Sequence, residues 1–185
     1  MNLYSIALFL HVVGALGFFV VLGLEWFSLL ALQRTTTVEQ VDDWFKFTGR
    51  MRGLGGISML LILIAGGYMT FAAWGGADWI EVAFGAIILQ GALAGILTSP
   101  RMKAIQKATD NESGPISPTL DSLLHHPMLW VSMSTRLGIG LGIVFLMCVK
   151  PMLVGSLITI AVGLIVGLAL SPVMIRSRRS QPAMA

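Results

Sequence analysis

LYSIALFLHVVGALGFFVVLGLEWFSLLAL, running from Leu3 to Leu32, decides the fold class. It is almost wholly apolar, and as a helix it would be ~45 Å long against a hydrocarbon core of ~30 Å. It therefore crosses a bilayer with residues to spare. It holds one imidazole, His11, and one carboxylate, Glu25. On insertion scales a charged side chain at the centre of a span costs about 2.5–3.5 kcal/mol, so each predicts a partner or a task inside the protein.

The rest of the chain repeats that character. Of 185 residues 56% are hydrophobic and 11% charged, where soluble domains carry about 25% charged residues. Apolar runs predict spans at Tyr4–Leu32, Gly53–Trp74, Trp79–Thr98, Met128–Val149 and Met152–Met174. Backbone polar groups in lipid must be satisfied within their own segment, so these are helices. The prediction is an all-α, polytopic helical membrane bundle forming one domain over residues 1–185. MNLYS at the start has no basic region, and the first run reads as an uncleaved helix. Cys148 is the single cysteine, which excludes an internal disulfide and a thiolate-cluster metal site.

Charge predicts the orientation. Arg34, Lys46, Arg50 and Arg52 follow the first run; Arg101, Lys103 and Lys107 follow the third; Arg176, Arg178 and Arg179 follow the fifth. The second loop holds Asp78 and Glu81 and no base. Basic loops face the cytoplasm, which puts the N-terminus outside and the C-terminus inside. Trp26, Trp44 and Trp130 then fall near the inner interface, Trp74 and Trp79 near the outer one. The same placement accounts for the net charge of +3 without nucleic acid. Membrane lipids are the expected partners, and the bacterial inner membrane the expected location.

Local signals refine the connections. Thr36-x-x-Glu39 has capping-box spacing, followed by Val38, Val41 and Phe45 at helical spacing. That fits either a short interfacial helix or an early start to the second span. Ser117–Pro118 is an N-cap and first-turn pair, with Pro127 expected to kink the helix that follows. Gly91/Gly95 and Gly163/Gly167 recur at four-residue spacing, and Gly138, Gly140 and Gly142 crowd the fourth span. Small residues let helices approach closely, either within the bundle or across a homo-oligomer.

Few residues are equipped for chemistry. Glu25 and Arg136 should both lie ~10 Å below the inner interface at helical rise. They predict a buried ion pair, which either fixes helix register or forms a proton, anion or propionate site. His11 lies in the outer half of the first span, with Gly14 and Gly17 on a smooth face below it. Gly66–Gly67, Gly142 and Thr159 fall in the same layer. That arrangement has room for a flat cofactor, and haem b on an axial His11 is the candidate. Met69, Met147 and Cys148 are the soft ligands nearest that depth, so a His11–Met147 haem or a copper site is the variant. The plain alternative is a hydrogen-bonded core histidine in glycine packing. His125 and His126 are adjacent and lack the spacing of a zinc pair. Lys150–Pro151 closes the fourth span, and Lys150 either snorkels outward or reaches an anion near His11. GRMRGLGG at Gly49–Gly56 lacks a P-loop ending and suits lipid headgroups better than nucleotide.

Three pieces resemble a bacterial family of integral membrane proteins of unknown function. They are Leu10-His11-Val-Val-Gly14, Arg50-x-Arg52-x-x-Gly55, and Arg136 followed by FLMCVKP ending at Lys150–Pro151. More remotely the chain is similar to the group holding copper-resistance protein D and the HemJ-type protoporphyrinogen oxidase. The oxidase holds haem b on a histidine early in helix one and uses basic residues in later helices. The resemblance implies those roles for His11, Arg136 and Lys150. Arg136 is followed by Leu137 and Gly138, where the oxidase has an asparagine–glutamate pair. The expectation is a haem-binding membrane protein, with a structural or assembly subunit, or a copper or small-solute transporter, as alternatives.

Overall fold

A side-chain cap starts the first element. Asn2 accepts the Tyr4 N–H on its side-chain oxygen, capping α1 (Leu3–Leu32). A computed structural model describes residues 2–179, with side chains through 171 apart from that of Arg52. The side chains of Arg52, Arg176, Arg178 and Arg179, which entered the orientation argument, lie outside the described set.

After α1 come α2 (Val38–Met69), α3 (Asp78–Leu93), α4 (Ser99–Thr109), α5 (Pro118–Leu124), α6 (Pro127–Val149) and α7 (Leu153–Arg179). The architecture is all-α, and five helices are long and apolar enough to cross a membrane. Two π-helical turns, Thr70–Trp74 and Ala94–Thr98, extend α2 and α3. Neither has a signal in the apolar pattern, because one extra residue per turn leaves hydropathy unchanged.

Several boundaries differ from expectation for local reasons. α2 starts at Val38, so no separate interfacial helix precedes the span. Its N-cap is Thr37 rather than Thr36. Glu39 accepts instead from the Gly114 N–H at 3.0 Å, and Gln40 accepts from the Thr36 N–H at 2.9 Å. Ser117 caps α5 as expected, accepting the Leu120 N–H at 3.2 Å. Pro127 does more than kink a helix. It opens α6 as a new one, and the His126 ring is the cap, accepting the Met128 N–H on Nδ1 at 3.2 Å.

Contacts along the chain group into two compact units. The first comprises Met1–Ala77 and Gln106–Asp121, the second Asp78–Ile105 and Ser122–Ala185. In the first, α1 and α2 form an antiparallel hairpin whose register can be read rung by rung. Ala7 packs with Ala65 and Met69; Gly14 lies on Ser58 and Leu61, and Gly55 on Val21; Phe27 meets Trp44 edge to face at 5.8 Å. Three backbone contacts, Thr37 with Pro115, Val38 N with Gly114 O and Ile116 N with Thr36 O, fasten residues 114–116 to the link before α2.

In the second unit α6 and α7 form the tighter hairpin. A Cβ on Gly167 would stand 2.6 Å from the Ser134 carbonyl oxygen, and Gly138 and Gly163 meet backbone to backbone. These glycines serve packing inside the unit. Around Gly91 and Gly95 there is open space. α3 joins through Thr98 and Ser132, whose hydroxyls bond at 2.8 Å, and through Asp78, which accepts the Leu153 N–H at the start of α7.

Candidate functional site

The α1–α2 hairpin decides where His11 sits. Its residue lies on the stripe of α1 that faces α2, opposite the turn from Ile62 to Gly66. Nδ1 lies 3.1 Å from the Ile62 carbonyl oxygen. A carbonyl only accepts, so Nδ1 carries the proton, and a neutral imidazole then presents Nε2 as a bare lone pair. Gly66 makes the seat: a Cβ there would come within 3.1 Å of the ring's Cε1 and Nδ1. The ring is part-buried. The sequence places Gly66 in the layer of His11, and the structure brings the two into contact. The Ile62 carbonyl leaves no trace in sequence, because every residue has one.

The smooth face below the ring has a different use from the one expected. A Cβ on Gly14 would meet both Leu61 Cβ and the Ser58 carbonyl at 2.9 Å, and one on Gly17 would strike the Ser58 hydroxyl. That face is covered by α2 itself, so no flat group lies between these two helices. One turn along, Met69 is buried with Ala7 and Ala65, and Tyr4 packs on them. The Trp74 indole donates to the Tyr4 hydroxyl at 3.2 Å, closing this end of the hairpin.

Glu25 belongs to the same unit and is half-buried. Arg136 belongs to the second unit and is 9% exposed. It stands in a polar run of α6, Ser132 to Arg136, that is buried throughout. Met147 in α6 is half-buried and Cys148 is exposed. Lys150 caps α6 in the left-handed region, φ 53°, which costs a non-glycine residue about 1–2 kcal/mol. Its ammonium lies 6.0 Å from the centre of the Trp79 ring, a cation–π contact that offsets part of that strain. Trp79 and Trp130, expected at the lipid interface, are both buried within the second unit.

Sequence reading passes over Gln90. It lies on the buried stripe of α3 with Trp79, Ala83 and Ala86. It is 4% exposed, and among the described residues neither its amide nitrogen nor its oxygen has a hydrogen-bond partner. The stripe's spacing was the available signal, since it puts a polar residue on an otherwise apolar face.

As to donors, no three His, Cys, Asp or Glu side chains gather among the described residues. A copper site draws on several imidazole or sulfur donors. Haem iron needs as little as one protein ligand, and a single seated imidazole fits that requirement. No family model, no curated protein and no solved structure matches this chain.

Proposed function

We propose that this chain is an integral membrane protein that binds haem b through Nε2 of His11. The observation that carries the reading is the seat of that ring. Nδ1 donates to the Ile62 carbonyl and Gly66 leaves room for the ring edge. Histidines that ligate metals generally give their other N–H to a carbonyl or carboxylate, which fixes the tautomer and raises the basicity of the ligating nitrogen. Here α2 does this for a residue of α1. Bound haem would supply one-electron chemistry; the chain's own part is to hold the imidazole in one orientation with one nitrogen open. The resemblance to the HemJ-type oxidase supports the same assignment. Basic loops on the cytoplasmic side of a bacterial inner membrane complete it.

The purified protein is expected to show a Soret band and about one equivalent of iron, one imidazole binding one haem, and His11→Ala to lose both. Gly66→Val should weaken the band by pressing on the ring. A colourless, iron-free protein that takes up no added haemin overturns the reading.

One observation favours a second reading. Gly14 and Gly17 are filled by α2, as they would be if His11 only pinned the register of a structural or assembly subunit. On that reading His11→Ala lowers thermal stability and leaves the absorption spectrum unchanged.

A further inference from the structure

We propose that the first unit carries a binding site for the headgroup of an anionic phospholipid, built on Arg34 in the link between α1 and α2. The site is a cleft of about 410 Å³. Its lining changes character along its length. Phe27, Leu30 and Ala31 are on the last turns of α1, inside the apolar run; Arg34, Thr35 and Gln40 are at and beyond its end. At helical rise Phe27 lies ~10 Å deeper than Arg34. Trp44 forms the wall between, held edge to face by Phe27 at 5.8 Å and by Phe47 at 5.6 Å.

The polar end is set up to receive an anion. Arg34 is exposed, and among the described residues no carboxylate pairs with it. Gln40 uses its carbonyl oxygen on the Thr36 N–H, so its amide offers donors. Thr35 gives its hydroxyl proton to the Leu32 carbonyl at 2.7 Å and adds none. Two nearby acids are engaged elsewhere: Glu39 accepts from Gly114, and Asp42 pairs with Lys46. Asp43 is exposed and outside the lining. A donor-rich end beside an indole, continuous with an apolar stretch one helix end deeper, matches one molecule: a phosphate on a diacylated glycerol. A free phosphate would leave the Phe27 end open. The site is independent of the His11 assignment.

The test uses the full chain in detergent and native mass spectrometry. Phosphatidylglycerol and phosphatidylcholine of matched acyl chains are offered together, and inorganic phosphate is offered in a separate arm. The wild type is expected to retain phosphatidylglycerol preferentially. Arg34→Gln should reduce that retention about five-fold, the effect of one basic residue at an anionic surface. Phe27→Ala should reduce it with no change in charge, and Lys103→Gln, which removes another exposed charge elsewhere, should leave it unchanged. Equal loss in Lys103→Gln and Arg34→Gln would mean that only overall charge matters and would overturn the site. So would displacement of the lipid by inorganic phosphate, or equal retention of the two lipids.

Discussion

Residues that are polar and yet lie inside these helices separate into two kinds. Some are satisfied by their own backbone. Thr70 donates to the Gly66 carbonyl, Thr159 to Gly155 and Ser171 to Leu168, each within its own helix or its extension. Such bonds carry a hydroxyl through lipid at little cost and need no function. His11 and Gln90 differ from them. His11 reaches a neighbouring helix, while the Gln90 amide has no hydrogen bond among the described residues. An unsatisfied buried amide costs about 1–3 kcal/mol, so Gln90→Leu is expected to stabilise the protein by that amount. Thermal unfolding in one detergent checks this. A lower melting temperature in Gln90→Leu would mean that the amide holds a partner, and that a polar site exists on α3. His11 was legible in the sequence because an imidazole in an apolar run is conspicuous. Its tautomer was not, because that depends on a carbonyl brought across from residue 62.

At the scale of elements, glycine positions decide which helices touch. Gly138 and Gly163 bring α6 and α7 into backbone contact, and Gly167 lies against Ser134 and Thr135. Inserted carbons in a packed interface cost about 1–3 kcal/mol when side chains can yield, and here the neighbour is backbone, which cannot. Gly167→Val should therefore unfold the α6–α7 hairpin or sharply reduce folded yield. Gly95→Ala, with open space around it, should keep stability or raise it by up to about 1 kcal/mol, since alanine favours a helix over glycine. Size-exclusion yield and thermal unfolding of the two variants check the contrast, and equal losses would contradict the assignment of the contact. The spacing of these glycines was readable, but their partners were not. The same i, i+4 pattern serves α7, where it is filled, and α3, where it is open. Helix ends were partly readable. Ser117–Pro118 works as a cap because serine and proline act locally; His126 as a cap was missed because a histidine cap depends on the break Pro127 makes.

For the whole molecule, solvent chooses the architecture. Apolar runs as long as a bilayer is thick leave helices as the only way to satisfy the backbone, so the five spanning helices follow from hydropathy alone. The two compact units do not follow from it. Hydropathy marks each span but not its partner, and the division depends on which helices pair, α1 with α2 and α6 with α7. The functional account rests on a smaller feature, the imidazole of α1 held by α2 with one nitrogen engaged and the other open. Nitrogen-15 NMR of the protein labelled at histidine, resolved by His11→Ala, reads that feature directly. The account predicts a neutral ring protonated at Nδ1 and bare at Nε2, and loss of the Nε2 signal from its free position when haemin is added. A ring protonated at Nε2, or a spectrum that haemin leaves untouched, would contradict it.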